Sequence, residues 1–175
     1  MEIDQKNQNN NNFKDAMDLF EIDCIYENNP IKRTFDKPSL KDKQSLLENL
    51  KTKILNISSC ELKNNSQQIV FNDGDPESAV MIVGEGPGQK EDEIGKPFVG
   101  DAGQLLNKML KAINIKRESV YITNVVSYRP PNNRKPEFSE ITRYSKFLRE
   151  HISIVDPKIL ILMGSTAMEA LFGTK

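Results

Sequence analysis

Histidine and cysteine are nearly absent from this chain: 175 residues hold one histidine and two cysteines. A single histidine, His151, excludes a multi-histidine zinc site and leaves one candidate for imidazole chemistry. Cys24 and Cys60 are too few for a disulfide scaffold or a four-cysteine metal centre. Long apolar runs are missing as well. The longest, such as Ile159-Leu160-Ile161-Leu162-Met163, fall far short of a bilayer span. No apolar stretch follows a basic start, which argues against a secretory signal. Neither sign of charge dominates, since the net charge is −1. With 28% charged and 37% hydrophobic residues, the composition describes a soluble chain with enough apolar material for one core.

The charge is unevenly placed. Residues 1–28 carry seven acidic side chains and two lysines, a net of −5, so the remainder sums to +4. A modest positive surplus is compatible with a nucleic-acid partner without requiring one. Gln5 to Asn12 is almost wholly Asn and Gln, has nothing to bury, and reads as disordered. Phe13, Met17, Phe20 and Cys24 follow at helical spacing among acidic residues. That pattern suits a helix docked on its own domain or a partner-binding peptide. Residues 1–38 are therefore expected to form an acidic, partly amphipathic extension, and residues 39–175 a domain.

Within the domain, Ser39 and Asp42 predict a capped helix start near Leu40, with Leu46, Leu47, Leu50 and Ile54 as its apolar stripe. Ile69-Val70-Phe71 reads as a short strand closed by a turn at 72–76. The pattern then alternates. Ala79 to Val83, Val120 to Val126 and Ile159 to Met163 are continuous apolar runs, as in strands buried on both faces. Between them Asp101 is expected to cap a helix with Ala102, Leu105, Leu106, Met109, Leu110 and Ile113 on one face. Ile141, Tyr144, Leu148, Ile152 and Val155 mark another helix, and Gly164-Ser165-Thr166 opens a last one. This order implies an α/β fold with a parallel sheet. Ligands of such sheets bind beyond the carboxyl ends of the strands. Three loops fall there: 84–100, 124–135 and 164–165.

Those loops hold the residues capable of chemistry. Gly84-Glu85-Gly86-Pro87-Gly88 turns out of a strand with three glycines, allowing close backbone approach to a ligand. No Gly-Lys-Ser/Thr follows, so it is not a Walker A loop. An ordinary tight turn with solvated acids, Glu85 and Glu91 among them, is the plainer alternative. Phe98 in Lys96-Pro97-Phe98-Val99-Gly100 could stack on a planar base or be core. Asn124 offers an acceptor and two donors that can read an imide edge, or it could cap the next turn. Arg129-Pro130-Pro131-Asn132-Asn133-Arg134-Lys135-Pro136 is a stiff basic loop suited to a phosphate backbone, although many such runs are merely solvated.

Taken together, the motifs at 84–88, 96–106, 121–126 and 129–136 resemble the family 4 uracil-DNA glycosylases, over roughly residues 45–175. The resemblance implies a three-layer α/β sandwich around a central parallel sheet. It also implies hydrolysis of the bond joining uracil to deoxyribose, with the base flipped out of the helix. It assigns Glu85, Glu91 and Asn124 to catalysis, with Glu91 linked to water activation or to loop geometry. Gly84, Gly86, Pro87, Gly88, Phe98 and Asn124 would bind uracil, with Phe98 stacking and Asn124 reading the polar edge. Arg129, Arg134 and Lys135 would bind DNA. The implied setting is a bacterial cytoplasmic, nucleoid-associated repair protein with uracil-containing DNA as partner. A replication or repair protein is a second possible partner, through the N-terminal segment.

Three departures stand out. Gly86 occupies a position that is usually Ala in the family. The family's four iron–sulfur cysteines align with Ile57, Cys60, Tyr128 and Tyr144, so the expectation is that no cluster is held. The family also continues to a further strand and a His-Pro-Ser-like loop whose histidine donates to the leaving uracil. The sequence given stops at Lys175. The expectations are a domain lacking its last strand, an exposed apolar edge at Ile159 to Met163, and weak or absent excision. A uracil- or nucleic-acid-binding remnant and an interaction module are the alternatives.

Overall fold

The computed structural model describes residues 39–173. The N-terminal extension and its amphipathic segment lie outside these residues. Helix α1 (Leu40–Leu55) begins with the capping box read from Ser39 and Asp42. Ser39 Oγ accepts from the Asp42 amide at 3.3 Å, and the Asp42 carboxylate accepts from the Ser39 amide at 3.0 Å. Two orphan N–H groups are thereby satisfied. The helix buries Leu47, Leu50 and Ile54, while Leu46 turns to solvent. A short helix, α2 (Glu61–Asn64), follows.

The sheet holds four strands in the order β1-β3-β2-β4, where β1 is Asp73–Gly74, β2 Val80–Gly84, β3 Tyr121–Asn124 and β4 Ile159–Leu162. The central strand β2 runs parallel to both β3 and β4. The expected strand at Ile69-Val70-Phe71 is instead an extended lead-in, anchored where the Val70 amide donates to Ser127 at 2.8 Å. Pairing begins only at β1, inside the expected turn, and it is antiparallel to β3. The sheet is therefore mixed at this edge and parallel elsewhere. β3 also stops at Asn124, shorter than the apolar run through Val126, although the amides of Val125 and Val126 still donate to Gly84 and Glu85.

Alternation along the strands divides the core into two layers. Met81, Val83 and Tyr121 face α1, α5 (Phe138–Val155) and α6 (Ser165–Phe172). Ile82 and Ile122 face α4 (Asp101–Ala112), which contributes Leu106 and Leu110. The result is a three-layer α/β sandwich. Two details of α4 differ from the sequence reading. Its N-cap is Gly100, with Asp101 the first helical residue and paired to Lys90 at 2.9 Å. Leu105, Met109 and Ile113 are exposed, so the buried stripe is narrower than the pattern suggested. At the other side β4 is an edge strand among the described residues, and Ile159 and Ile161 are 56% and 43% exposed. The expected apolar edge is present.

His151 lies inside the larger layer, far from any catalytic use. Its ring stacks on Phe71 at 4.6 Å between centroids, and its Nε2 sits 2.5 Å from the Tyr121 hydroxyl. Burial pushes its pKa down to about 3, so it folds as the neutral imidazole. The unfolded chain, with a pKa of about 6.5, takes up the proton first as pH falls. This contribution to stability is complete above pH ~6.5 and is lost between there and about 3. The slope reaches at most about 1.4 kcal/mol per pH unit. Urea midpoints measured from pH 7 to pH 4 should fall less steeply in His151→Gln than in the parent. Equal slopes would place the acid sensitivity elsewhere.

Candidate functional site

Because β3 and β4 flank β2 on opposite sides, the chain leaves the carboxyl end of β2 at a topological switch point, where α/β sheets open a crevice. A cleft of about 510 Å³ lies there. Its floor is Gly84, and its walls include Glu85, Glu91, Phe98, Asn124 and Gly164. All three loops singled out from the sequence contribute to it, but the 124–135 loop does so only through Asn124, and Arg129, Arg134 and Lys135 do not line it.

Gly84 is required by close approach. A Cβ at this position would lie 2.5 Å from Asn124 Oδ1 and 2.5 Å from Phe98 Cζ. Its absence lets the amide and the ring meet over the strand end. Asn124 is 5% exposed, and among the described residues its side-chain amide has no hydrogen-bond partner. Its carboxamide is not among the fully buried polar groups left unpaired, so solvent or a ligand in the cleft can satisfy it. Asn124 lines the cleft, and among the described residues no hydrogen bond from its side chain caps the following turn. Thr123, the preceding residue, donates instead to the Phe71 carbonyl at 2.7 Å.

Gly86 also lines the cleft, and a Cβ there would meet Val126 Cγ2 at 2.7 Å. That contact gives a physical reason for glycine at this position. Gly88 lines the cleft too, whereas Pro87 is buried behind it.

The two glutamates differ in their commitments. Glu91, in the short helix α3 (Gln89–Ile94), accepts three backbone amides. Its Oε1 takes Val99 N at 2.9 Å and Gly100 N at 2.7 Å, and its Oε2 takes Gly88 N at 3.1 Å. These bonds tie both ends of the 88–100 loop together and support loop geometry among the roles open to Glu91. Glu85 is exposed, and it accepts a hydrogen bond from the hydroxyl of the buried Thr166 near the start of α6. Thr166 was not distinguished by the sequence, where it reads as one more polar residue in a helix start. Arg117 was also missed. No motif marked it, yet it donates to the carbonyls of Pro97 and Phe98.

The basic loop is held by two residues in left-handed backbone conformation, Asn132 and Asn133 (φ 53° and 55°), which asparagine tolerates. Its cations are not equally free. Arg134 makes a two-pronged pair with Glu140, both contacts at 2.8 Å. Those hydrogen bonds hold the Glu140 carboxyl below the usual carboxylate range. Arg129 donates to Asn133 at 2.7 Å, and Lys135 lies 3.8 Å from Glu169 and is half exposed.

The positions aligned with the family's cluster cysteines do not fit an iron–sulfur cluster. Their donor set is one thiol, two phenols and an alkyl group, and a cluster needs about four thiolates. Cys60 Sγ instead sits 3.4 Å from the Tyr144 hydroxyl. Cys60, Tyr128 and Tyr144 are all buried in the main core, and Ile57 packs against it. The Tyr128 hydroxyl is buried without a partner among the described residues. Burial pushes its pKa up, with the nearby Cys60 adding to the shift.

Comparison with known proteins bears on this geometry. The type-4 uracil-DNA glycosylase of Sulfurisphaera tokodaii is 43% identical over 127 residues, covering 72% of this chain and 58% of that protein. The type-4 enzyme of Thermotoga maritima is 40% identical over 126 residues, covering 72% and 66%. That of Pyrobaculum aerophilum is 42% identical over 125 residues, covering 71% and 64%. The chain thus spans between 58% and 66% of the length of these relatives. Residues 71–175 match the Uracil DNA glycosylase superfamily, and this stretch includes every wall of the cleft. With Gly84, Phe98 and Asn124 all inside the matched region, the chain belongs to the uracil-DNA glycosylase superfamily.

Proposed function

We propose that this chain recognises a uracil nucleotide extruded from a DNA strand, as part of a protein that hydrolyses the bond joining uracil to deoxyribose. The supporting observation is the Asn124 amide, 5% exposed, without a protein partner among the described residues and facing the same cleft as the Phe98 ring. Uracil presents a flat face and an edge that alternates carbonyl acceptors with an N–H donor. Phe98 stacks on the face, and Asn124 satisfies the edge with both kinds of group. Thymine shares this imide edge and differs only by its C5 methyl group, so its exclusion comes from the shape of the cleft, whereas Asn124 distinguishes uracil from cytosine. Glu85 is the carboxylate placed to orient a water, with Thr166 fixing its direction.

The described residues supply recognition more fully than chemistry. Hydrolysis moves the electron pair of the N1–C1′ bond onto uracil, and the departing anion needs donors aimed at its oxygen. The ionisable side chains lining the cleft are Glu85, Glu91 and Asp101, all acids. His151 is buried against Phe71 and Tyr121 and does not line it. Loss of one such donor commonly costs about 100- to 1000-fold in rate. The 175 residues alone are expected to bind uracil-containing strands and to excise the base weakly. The acid-only lining favours, as second reading, a uracil-binding protein without hydrolysis. A single-turnover assay for abasic sites, run with protein in excess, separates the two.

Replacing Asn124 with Ala should weaken binding of a deoxyuridine-containing strand by about 1–3 kcal/mol and leave a thymidine strand nearly unaffected. Equal affinity of parent and variant in a titration would reduce Asn124 to a wall of the cleft.

Arg129 and Lys135 should each contribute about 0.7–0.9 to the magnitude of the log–log salt slope of DNA binding. Arg134, already paired with Glu140, should contribute less. Its replacement by Ala should lower the melting temperature more than the slope. A slope unchanged when all three are replaced would route the DNA elsewhere.

A further inference from the structure

We propose that Arg117 is a positioning residue for Phe98, setting the stacking ring through the backbone carbonyls that precede and belong to it. The inference rests on the proposed role of Phe98 and deepens it.

Phe98 has φ +53°, in the left-handed region that residues with side chains seldom adopt. Something must hold it there. Arg117 Nη2 donates to the Pro97 carbonyl at 2.7 Å, and Nη1 donates to the Phe98 carbonyl at 3.0 Å. A planar guanidinium fork can bind two successive carbonyls in this way, and a single ammonium cannot reproduce it. The fork is itself oriented. Nε donates to Asp73 Oδ2 at 2.9 Å, and Nη1 also reaches Asn107 Oδ1 at 3.0 Å. Asp73 belongs to β1, the two-residue strand that appears where the sequence suggested a turn. Asn107 belongs to α4.

The same peptide is confined from two further directions. A Cβ on Gly103 would lie 1.9 Å from the Phe98 carbonyl oxygen, so α4 presses directly on that carbonyl. On the far side Glu91 holds the amides of Val99 and Gly100. Carbonyls before the ring and amides after it are thus fixed by opposite charges, and the ring is left pointing over Gly84. Without Arg117 the carbonyls of 97 and 98 lose their donors, and Phe98 is freer to relax to an ordinary backbone conformation.

The chain contains no tryptophan, so Phe98→Trp creates a single fluorescent reporter at the ring position. Its emission maximum and anisotropy are measured with Arg117, with Arg117→Gln and with Arg117→Lys, each shown folded by circular dichroism at the assay temperature. The expected result is a red shift and lower anisotropy in Arg117→Gln, with Arg117→Lys intermediate. Should Arg117→Gln fail to fold, Arg117→Lys carries the comparison. In the Phe98 background, the preference for a deoxyuridine strand over a thymidine strand should fall by about tenfold in Arg117→Gln, within the span of base–aromatic stacking. Unchanged emission and anisotropy of the indole reporter in a folded variant would overturn the proposal. A parent that shows no deoxyuridine preference would overturn the proposed function, and the reporter signal would still decide the role of Arg117.

Discussion

A methyl group at Gly84 would collide with both the Phe98 ring and the Asn124 carboxamide at 2.5 Å. That one steric constraint organises the end of the sheet. Because residue 84 has no side chain, two groups from distant loops come together over the carboxyl end of the central strand. One is an aromatic ring and the other a carboxamide, and together they line the cleft. Parallel pairing of β2 with β3 places Gly84 directly opposite Asn124, so the sheet register itself brings the amide to the floor.

Around this floor, charged side chains act mainly on backbone. Glu91 accepts three amides, Arg117 donates to two carbonyls, and Asp92, buried, accepts from the amides of Gln67 and Gln68. Loops without regular pairing must satisfy their polar backbone by other means, and here ionised side chains serve as those partners. Charge-assisted bonds of this kind are stronger than neutral ones. They let the 88–100 loop hold a strained residue at its tip, where a loop bonded only to water would relax.

The Cys60, Tyr128 and Tyr144 cluster shows a different solution to a neighbouring problem. Here aromatic volume and a thiol–phenol contact fill the space and join α5 to the segment before α2. Apolar packing fills such a space with close contacts in place of covalent metal bonds. It leaves one buried hydroxyl, that of Tyr128, without a partner among the described residues.

Much of this was legible in the residues. Continuous apolar runs identified β2, β3 and β4, yet only β2 and β3 are buried on both faces as such runs suggest, while β4 leaves Ile159 and Ile161 exposed. Ser39 and Asp42 announced the start of α1 through their own short-range hydrogen bonds. The motif residues Gly84, Glu85, Phe98 and Asn124 pointed to the cleft. Local sequence could not show β1, since two residues pair only when β3 supplies the partner edge. Nor could it show that Leu105, Met109 and Ile113 stay exposed, because helical periodicity marks an apolar face without saying how much of it a neighbour covers. Arg117, Arg134 and Glu91 carry the same lesson for charge. The sequence by itself determined which residues could stack, read an imide edge or carry a positive charge, because those capacities belong to single side chains. Only the tertiary structure decided which charges were committed to backbone or to a carboxylate and which carboxamide came to line the cleft. Hydrogen bonds and ion pairs act over a few ångströms between groups far apart in the chain, and folding alone creates that proximity.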